Sequence, residues 1–352
     1  KLQDGRLIEE KLTDPLEKWL NYSLSEGDII DLIQERVQKW ESKLSSDQKI
    51  ILPLSGGFDS RLLLWCIKDK TRVKAFTYGF SQNQKKSSEV VYAKKLSEKY
   101  KLDWEQISIG KFHKYFDEWN NIYGLSTHAH GMYHFEFYEI IRRMLKKEHF
   151  FLSGIFGDVF AGNVKKIRIK NADDLIKLSY SHGLNADPKN LNFHSEKNLR
   201  DNFWIENKEE LNDERFQIVT TIRIKIILIS YPKKRRFNRR WQTDFFKKVG
   251  LDIESLNLKA DKRNLLNINA TIFHPLNPLD VELLSSLFNK KYINWINKNV
   301  FLNKINLLRA SIFQIPKLGG ILRIAGLKDF WNAYSAYISI KPIELYLKKN
   351  LK

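Results

Sequence analysis

Residues Lys49–Cys66 read KIILPLSGGFDSRLLLWC. Ile50, Ile51 and Leu52 make a short apolar run of the kind that forms a buried strand. Gly56 and Gly57 follow, flanked by Ser55, Asp59 and Ser60, and then Leu62, Leu63, Leu64, Trp65 and Ile67 continue as a buried helix. The order is strand, small-residue turn, helix. A turn without Cβ atoms lets backbone N–H groups close on an anion, and the helix N-terminus behind it adds favourable partial charge. The turn therefore reads as a phosphate cradle. It is not of the Walker type, because no Gly-Lys-Ser/Thr follows at the required spacing.

Working outward, 352 residues suffice for about two domains with ample core. The longest strongly apolar stretch, near Ile226–Tyr231, falls far short of the ~20 residues of a membrane span. No signal peptide opens the sequence, so the cytoplasm is the default expectation; Lys1 rather than Met stands first, as in a piece of a longer protein. Cys66 is the single cysteine, which excludes a disulfide framework and a zinc–thiolate cluster. Sixty basic against 41 acidic residues give a net charge of +19, which favours anionic partners: nucleotide, acidic substrate, nucleic acid or membrane surface. A Lys- and Asn-rich composition gives the same excess without any special purpose.

A helix is expected over Ser25–Leu44, where Ile29, Leu32, Ile33, Val37, Trp40 and Leu44 recur at helical spacing. Further strands are expected at Val73–Tyr78, Trp104–Ile109 and Phe150–Leu152, with helices at Ser87–Tyr100, Phe112–Tyr123 and Met132–Lys147 between them. Alternation at these lengths implies an α/β fold, a parallel sheet with helices on both faces and right-handed crossovers. Ligands of such sheets sit beyond the carboxyl ends of the strands. From about Ile167 helical spacing dominates, around Ala172–Ser181, Gln217–Ser230, Val281–Asn289 and Ile305–Ile312. The expected organisation is a lead-in segment (1–45), an α/β core (46–166) and a mostly helical C-terminal lobe (167–352).

Ser55-Gly56-Gly57-Phe58-Asp59-Ser60 resembles the pyrophosphate loop, SGGxDS, of the N-type ATP pyrophosphatases (PP-loop enzymes of the adenine nucleotide α-hydrolase-like fold), which split ATP between its α and β phosphates. Within that group the chain resembles the synthetase domain of the class B asparagine synthetases and their β-lactam synthetase relatives. The form SGGFDSR, with Phe76-Thr77-Tyr78-Gly79 on the next strand, is similar to members found in surface-polysaccharide gene sets. The resemblance implies ATP and Mg²⁺. It places pyrophosphate on Ser55, Gly56, Gly57 and Ser60, and AMP against Tyr78, the backbone of Leu54, and Gly154. Ser153-Gly154 and Asp158 match parts of the family's SGEGxDE, so that Asp59 and Asp158 would hold Mg²⁺. A lone loop aspartate is otherwise more often a turn or cap residue. Phe273–Asp280 resembles the family's ExRxPFLD, and Ile315-Pro316-Lys317-Leu318-Gly319 its RPKLG. This makes Lys317 the lysine expected to meet negative charge during catalysis, with Lys328 in reserve.

The sequence also departs from the family. Its SGEG glutamate falls on Ile155, which cannot move a proton, and Val159 replaces the glutamate after the aspartate. No nucleophilic cysteine of a glutaminase domain is present; Cys66 sits on the apolar helix and reads as a buried, inert thiol. Nitrogen would then come from free ammonia, an amine substrate, or a glutaminase partner or domain. The expected function is an ATP-dependent amide ligase that adenylates a carboxylate for attack by nitrogen, in glycan or small-molecule biosynthesis. A tRNA-modifying PP-loop enzyme and an ATP-binding protein without turnover are the alternatives. The run Lys233, Lys234, Arg235, Arg236, Arg239, Arg240 reads as a solvated face, or as a site for an acidic sugar or nucleic acid. His128, His130 and His134 lack an evident fourth ligand for a metal.

Overall fold

The computed structural model of the chain describes residues 2–3, 6–7, 26–81, 83–123, 131–145, 149–154, 168–177, 195–212, 240–252, 266–301, 312–313, 315, 317–325, 327 and 330–350. Besides a short antiparallel pair at Leu2–Gln3 and Arg6–Leu7, four parallel strands form its main sheet: β1 (Ile50–Pro53), β2 (Val73–Thr77), β3 (Asp103–Gln106) and β4 (Phe150–Phe151). Their spatial order is β3-β2-β1-β4, with Ile50 opposite Val73 and Phe150, and Lys74 opposite Asp103. All four expected strands are present. The third is set earlier than expected, although Ile107 still donates its N–H to Thr77 O (2.8 Å).

The chain runs outward from β1 through β2 to β3, then returns to the other side of β1 to lay down β4. The strand order therefore reverses between β1 and β4. Loops after these two strands diverge from a common crevice, which is where open parallel sheets bind ligands.

Both faces of the sheet are covered, and the period-two alternation of the strands sorts the side chains. Ile50, Leu52, Val73 and Ala75 face α1 (Glu26–Glu41), α2 (Phe58–Cys66) and α3 (Ser88–Tyr100). Ile51 and Phe76 bury themselves on the opposite side, with Met132, Phe137 and Ile141 of α5 (Met132–Met144). Before α5, a 3₁₀ turn at Phe112–Tyr115 leads into α4 (Phe116–Tyr123). Ile50, Ile51 and Leu52 are fully buried, as the central strand of such a sheet requires.

Helices dominate the second half among the described residues: α6 (Ser195–Asn207), α7 (Arg240–Lys248), α8 (Leu266–Phe273), α9 (Val281–Leu284), α10 (Lys290–Val300), α11 (Leu318–Ile324) and α12 (Phe330–Asn350). Residues Ala172–Lys177 form a 3₁₀ helix where a helix over Ala172–Ser181 is expected, the rest of that stretch (178–181) lying outside the described residues, and the helix expected over Val281–Asn289 ends at Leu284. The expectations at 217–230 and 305–311 lie outside the described residues. These helices share the sheet's core: Leu266, Ile293, Ile296, Tyr334 and Tyr337 join the same apolar cluster as Ile51 and Phe76. On the other face, Phe245, Phe246 and Leu251 from α7 and its exit pack with Ile50 and Leu52. The helical half thus buries apolar area on both sides of the sheet, at roughly 1.5–3 kcal/mol for each large side chain removed from water.

Candidate active site

Local chemistry shapes the turn after β1. Leu54 continues the ladder, its N–H donating to Phe76 O (2.9 Å) and its carbonyl accepting the Thr77 hydroxyl. Trp104 Nε1 donates to that hydroxyl (2.9 Å) and fixes it. The backbone of Leu54 therefore retains only one carbonyl lone pair for any ligand. Gly56 then turns at φ 70°, a left-handed conformation that disfavours other residues. A Cβ there would also lie 2.3 Å from Tyr92 Cβ, so α3 packs where any side chain would stand.

Gly57 is the N-cap of α2 and carries no side chain to close the helix end. Serines tie the loop across itself: Ser55 and Ser60 hydroxyls lie 3.3 Å apart, Gly57 N–H donates to Ser55 Oγ at 3.3 Å, and Ser55 N–H donates to Ser60 Oγ at 3.3 Å. Each is longer than an ordinary hydrogen bond and weak for that reason.

The loop after β4 reaches the same place. A Cβ on Gly154 would lie 3.0 Å from Ser60 N and 3.1 Å from Asp59 C, so the absence of a side chain lets the two loops touch. Together with the ends of β1 and β2 and one face of α5 they line a cavity of about 200 Å³, open to solvent. Its polar lining comes from Ser55, Gly57, Asp59, Ser60, Thr77, Glu89, Ser153 and Gly154. Its aromatic wall is Phe76, Tyr78, Phe80, His134, Phe137 and Tyr138. Tyr78 packs edge-on to Phe137 (centroids 4.8 Å apart) and Phe80 (5.3 Å), and its hydroxyl lies 3.1 Å from His134 Nδ1. Burial raises the Tyr78 phenol well above its ordinary pKa and lowers that of His134 to about 4, so both are neutral near pH 7.

Of the residues expected at the site, the pocket brings together Leu54, Ser55, Gly57, Asp59, Ser60, Tyr78, Ser153 and Gly154. Gly56 belongs to the same loop but is buried behind it. Lys317 is exposed, in a left-handed conformation (φ 69°) just before α11, and is not among the lining residues. Asp158, Ile155, Lys328, His128, His130 and residues 233–239 lie outside the described residues.

The sequence reading passed over Glu89, on the first turn of α3, whose carboxylate accepts the Ser87 hydroxyl, and passed over the role of His134 in the wall. It also passed over Gln242 of α7, whose Nε2 donates to Asp59 Oδ1 at 3.4 Å. Only the Ser-x-Glu at the start of α3 offered a hint, as a helix-start signal. Cys66 is buried, its thiol pushed up to about 12 mainly by burial, which fits an inert group.

The family model for asparagine synthase matches residues 31–244, well over half of the chain. The chain belongs to the asparagine synthase family. Every residue lining the pocket lies inside the match, as does Gln242. No individually curated protein matches the chain. Membership supports an ATP-dependent, amide-ligase-like function in general terms. Among the described residues, no helix is long and apolar enough to cross a membrane, and no group of three or more His, Cys, Asp or Glu side chains forms a metal cluster.

Mg²⁺ is nonetheless a group the pocket's donors fit. It takes hard oxygen ligands, one or two carboxylates with the rest from phosphate and water. Asp59, half-buried, and Glu89 both supply carboxylates to the lining.

Proposed function

We propose that this member of the asparagine synthase family consumes ATP as a co-substrate, adenylates a substrate carboxylate, and transfers the acyl group to ammonia or an amine. The observation that carries the reading is the convergence of Leu54, Ser55, Gly57, Asp59, Ser60, Tyr78, Ser153 and Gly154 on one pocket at the strand-order reversal.

In the first half-reaction a carboxylate oxygen attacks the α-phosphorus. The bond to the bridging oxygen breaks, and pyrophosphate leaves with the electron pair. Ser55, Ser60 and the Gly57 N–H exchange their long mutual hydrogen bonds for pyrophosphate oxygens. Tyr78, Phe80, Phe137 and Tyr138 offer the base an apolar, aromatic slot, and His134 next to them stays neutral. Asp59, with Asp158, would hold Mg²⁺, which when bound neutralises phosphate charge. In the second half-reaction the nitrogen attacks the acyl carbon, AMP departs, and nitrogen gives up a proton. We assign that proton to Glu89, the pocket carboxylate left over once Asp59 serves the metal. We keep Lys317 as the lysine that meets developing negative charge, although it is not among the residues that line the pocket. Placement and charge neutralisation supply most of the acceleration in such a scheme. A uronic acid or a related glycan precursor is the carboxylate we favour.

ATP–pyrophosphate exchange with Mg²⁺ across pools of amino acids, uronic acids and nucleotide sugars tests this. Exchange with one pool, lost in Asp59→Asn, is the expected result and names the substrate class. ATP binding without exchange in any pool would instead favour a binding protein or a tRNA-modifying enzyme.

A further inference from the structure

Among the described residues, Arg61 is the one charged side chain in the set of largest fully buried groups, at 1% exposure. It follows the loop on the first turns of α2, and its guanidinium turns back beneath it. Nη2 donates to Gly56 O (2.8 Å), and Nη1 donates to Leu251 O (3.0 Å) at the exit of α7. Phe246 and Phe58 flank the cation, with centroids 4.7 and 5.3 Å from Cζ. The fork thus holds one carbonyl of its own loop and one from a segment 190 residues beyond Arg61 in sequence. Lysine cannot reproduce that bridge, having one point charge in place of a planar pair of donors.

The carbonyl it grips decides the orientation of the loop. The Gly56–Gly57 peptide is trans, so its C=O and N–H point in opposite directions. With the carbonyl drawn inward to Arg61, the Gly57 N–H is turned outward, where it meets Ser55 Oγ at the pocket. Glycine at φ 70° beside a second glycine is also the place where a peptide flips most easily. Flipped, the unit would show a carbonyl oxygen to the phosphates and repel them. A charge-assisted bond at 2.8 Å in a buried setting opposes that flip, and it polarises the peptide so that the N–H becomes a better donor.

We propose that Arg61 is a positioning residue that locks the Gly56–Gly57 peptide with its N–H toward the pocket, and so sets the affinity for the pyrophosphate portion of the nucleotide. This inference rests on the pocket being the ATP site proposed above. It goes beyond that proposal in assigning anion recognition to a side chain that never touches the ligand.

Calorimetric titration of the full chain with inorganic pyrophosphate, ATP and AMP, in the presence of Mg²⁺, tests it in the wild type, Arg61→Met and Arg61→Lys. Loss of a buried charged hydrogen bond predicts pyrophosphate and ATP affinities weaker by about ten- to a hundredfold in Arg61→Met, while AMP affinity changes little. Arg61→Lys keeps the charge and, holding one carbonyl at most, falls in between; it decides the matter should Arg61→Met not fold. Unchanged pyrophosphate affinity in a folded variant overturns the inference. So does an equal loss for pyrophosphate and AMP, which marks Arg61 as merely structural. A wild type that binds none of the three ligands sinks the ATP-site proposal itself, a result distinguishable from both.

Discussion

Gln242 and Asp59 meet across 183 residues of sequence, amide to carboxylate at 3.4 Å, and Gln242 is 2% exposed. Its Oε1 is buried and has no hydrogen-bond partner among the described residues, an arrangement that costs free energy. Gln242→Leu keeps much of the volume and removes both the donor to Asp59 and the orphan acceptor. Stability should then hold or rise slightly, because an unsatisfied buried group has gone. Turnover should fall by about five- to tenfold, the equivalent of roughly 1 kcal/mol of lost orientation at Asp59. Thermal melting and exchange rates measured on one preparation separate the two effects; a parallel loss of both would mean that Gln242 only packs.

Gly154 stands where the loop after β4 touches the loop after β1. Its missing Cβ leaves 3.0 Å to Ser60 N and 3.1 Å to Asp59 C, so an added methyl must push backbone rather than a yielding side chain. Gly154→Ala should cost about 1 kcal/mol of stability, at the low end of overpacking penalties. ATP–pyrophosphate exchange should drop about tenfold or more, since small displacements of a positioned group are felt strongly in rate. Exchange at the wild-type rate would show that the two loops do not act as one site.

Glu89 shares the pocket with Asp59, and Ser87 holds its carboxylate at the start of α3. Should Glu89 accept the proton released by nitrogen, Glu89→Gln leaves adenylation running and slows acyl transfer. The expected pattern is ATP–pyrophosphate exchange near the wild-type level with amide formation reduced by about a hundredfold or more. Equal loss of both half-reactions would place Glu89 in nucleotide binding instead.

The strands and the loop were legible because the signals there are local. A run of three buried residues, two glycines and a leucine-rich helix leave little choice of order, and the alternation up to Leu152 follows from it. Distance hid the rest. Gln242 and Leu251 reach α2 from 183 and 190 residues away, and nothing in their own neighbourhoods marks them. Arg61 read as one more cation in a basic chain, whereas its burial between Phe58 and Phe246 exists only once α7 packs on the sheet. The longest described helix, α12, escaped for another reason. Its buried positions include Ala336, Tyr337, Ile338, Ile340 and Pro342, too closely spaced to form a single stripe. A helix enclosed on most sides loses the periodicity by which helices are recognised.

His113, which does not line the pocket, joins three elements of the core. Its Nδ1 lies 3.1 Å from His274 O, which can only accept, so that nitrogen carries the proton. Nε2 must then accept from the Tyr334 hydroxyl at 2.7 Å, the phenol being held neutral by burial. A second proton on the ring would break that bond and charge a buried group. Accordingly burial lowers the pKa of His113 from 6.5 to about 4. The folded value lies below the unfolded one, so the native state binds fewer protons between them. Above pH 6.5 the residue leaves stability unchanged. As pH falls from 6.5 toward 4 the unfolded chain is protonated first and stability is lost, by about 3 kcal/mol at most from this residue. Below pH 4 both states carry the proton and the loss levels off. His134 acts in the same direction, whereas Glu136, its pKa raised by burial, opposes both. Comparison of the wild type with His113→Gln cancels those other groups. The variant should be less stable at pH 7, with a shallower fall in unfolding free energy between pH 6.5 and 4.5, by up to about 1.4 kcal/mol per pH unit. Urea titrations at three pH values measure the slope, and identical slopes in the two proteins would refute a neutral, hydrogen-bonded His113.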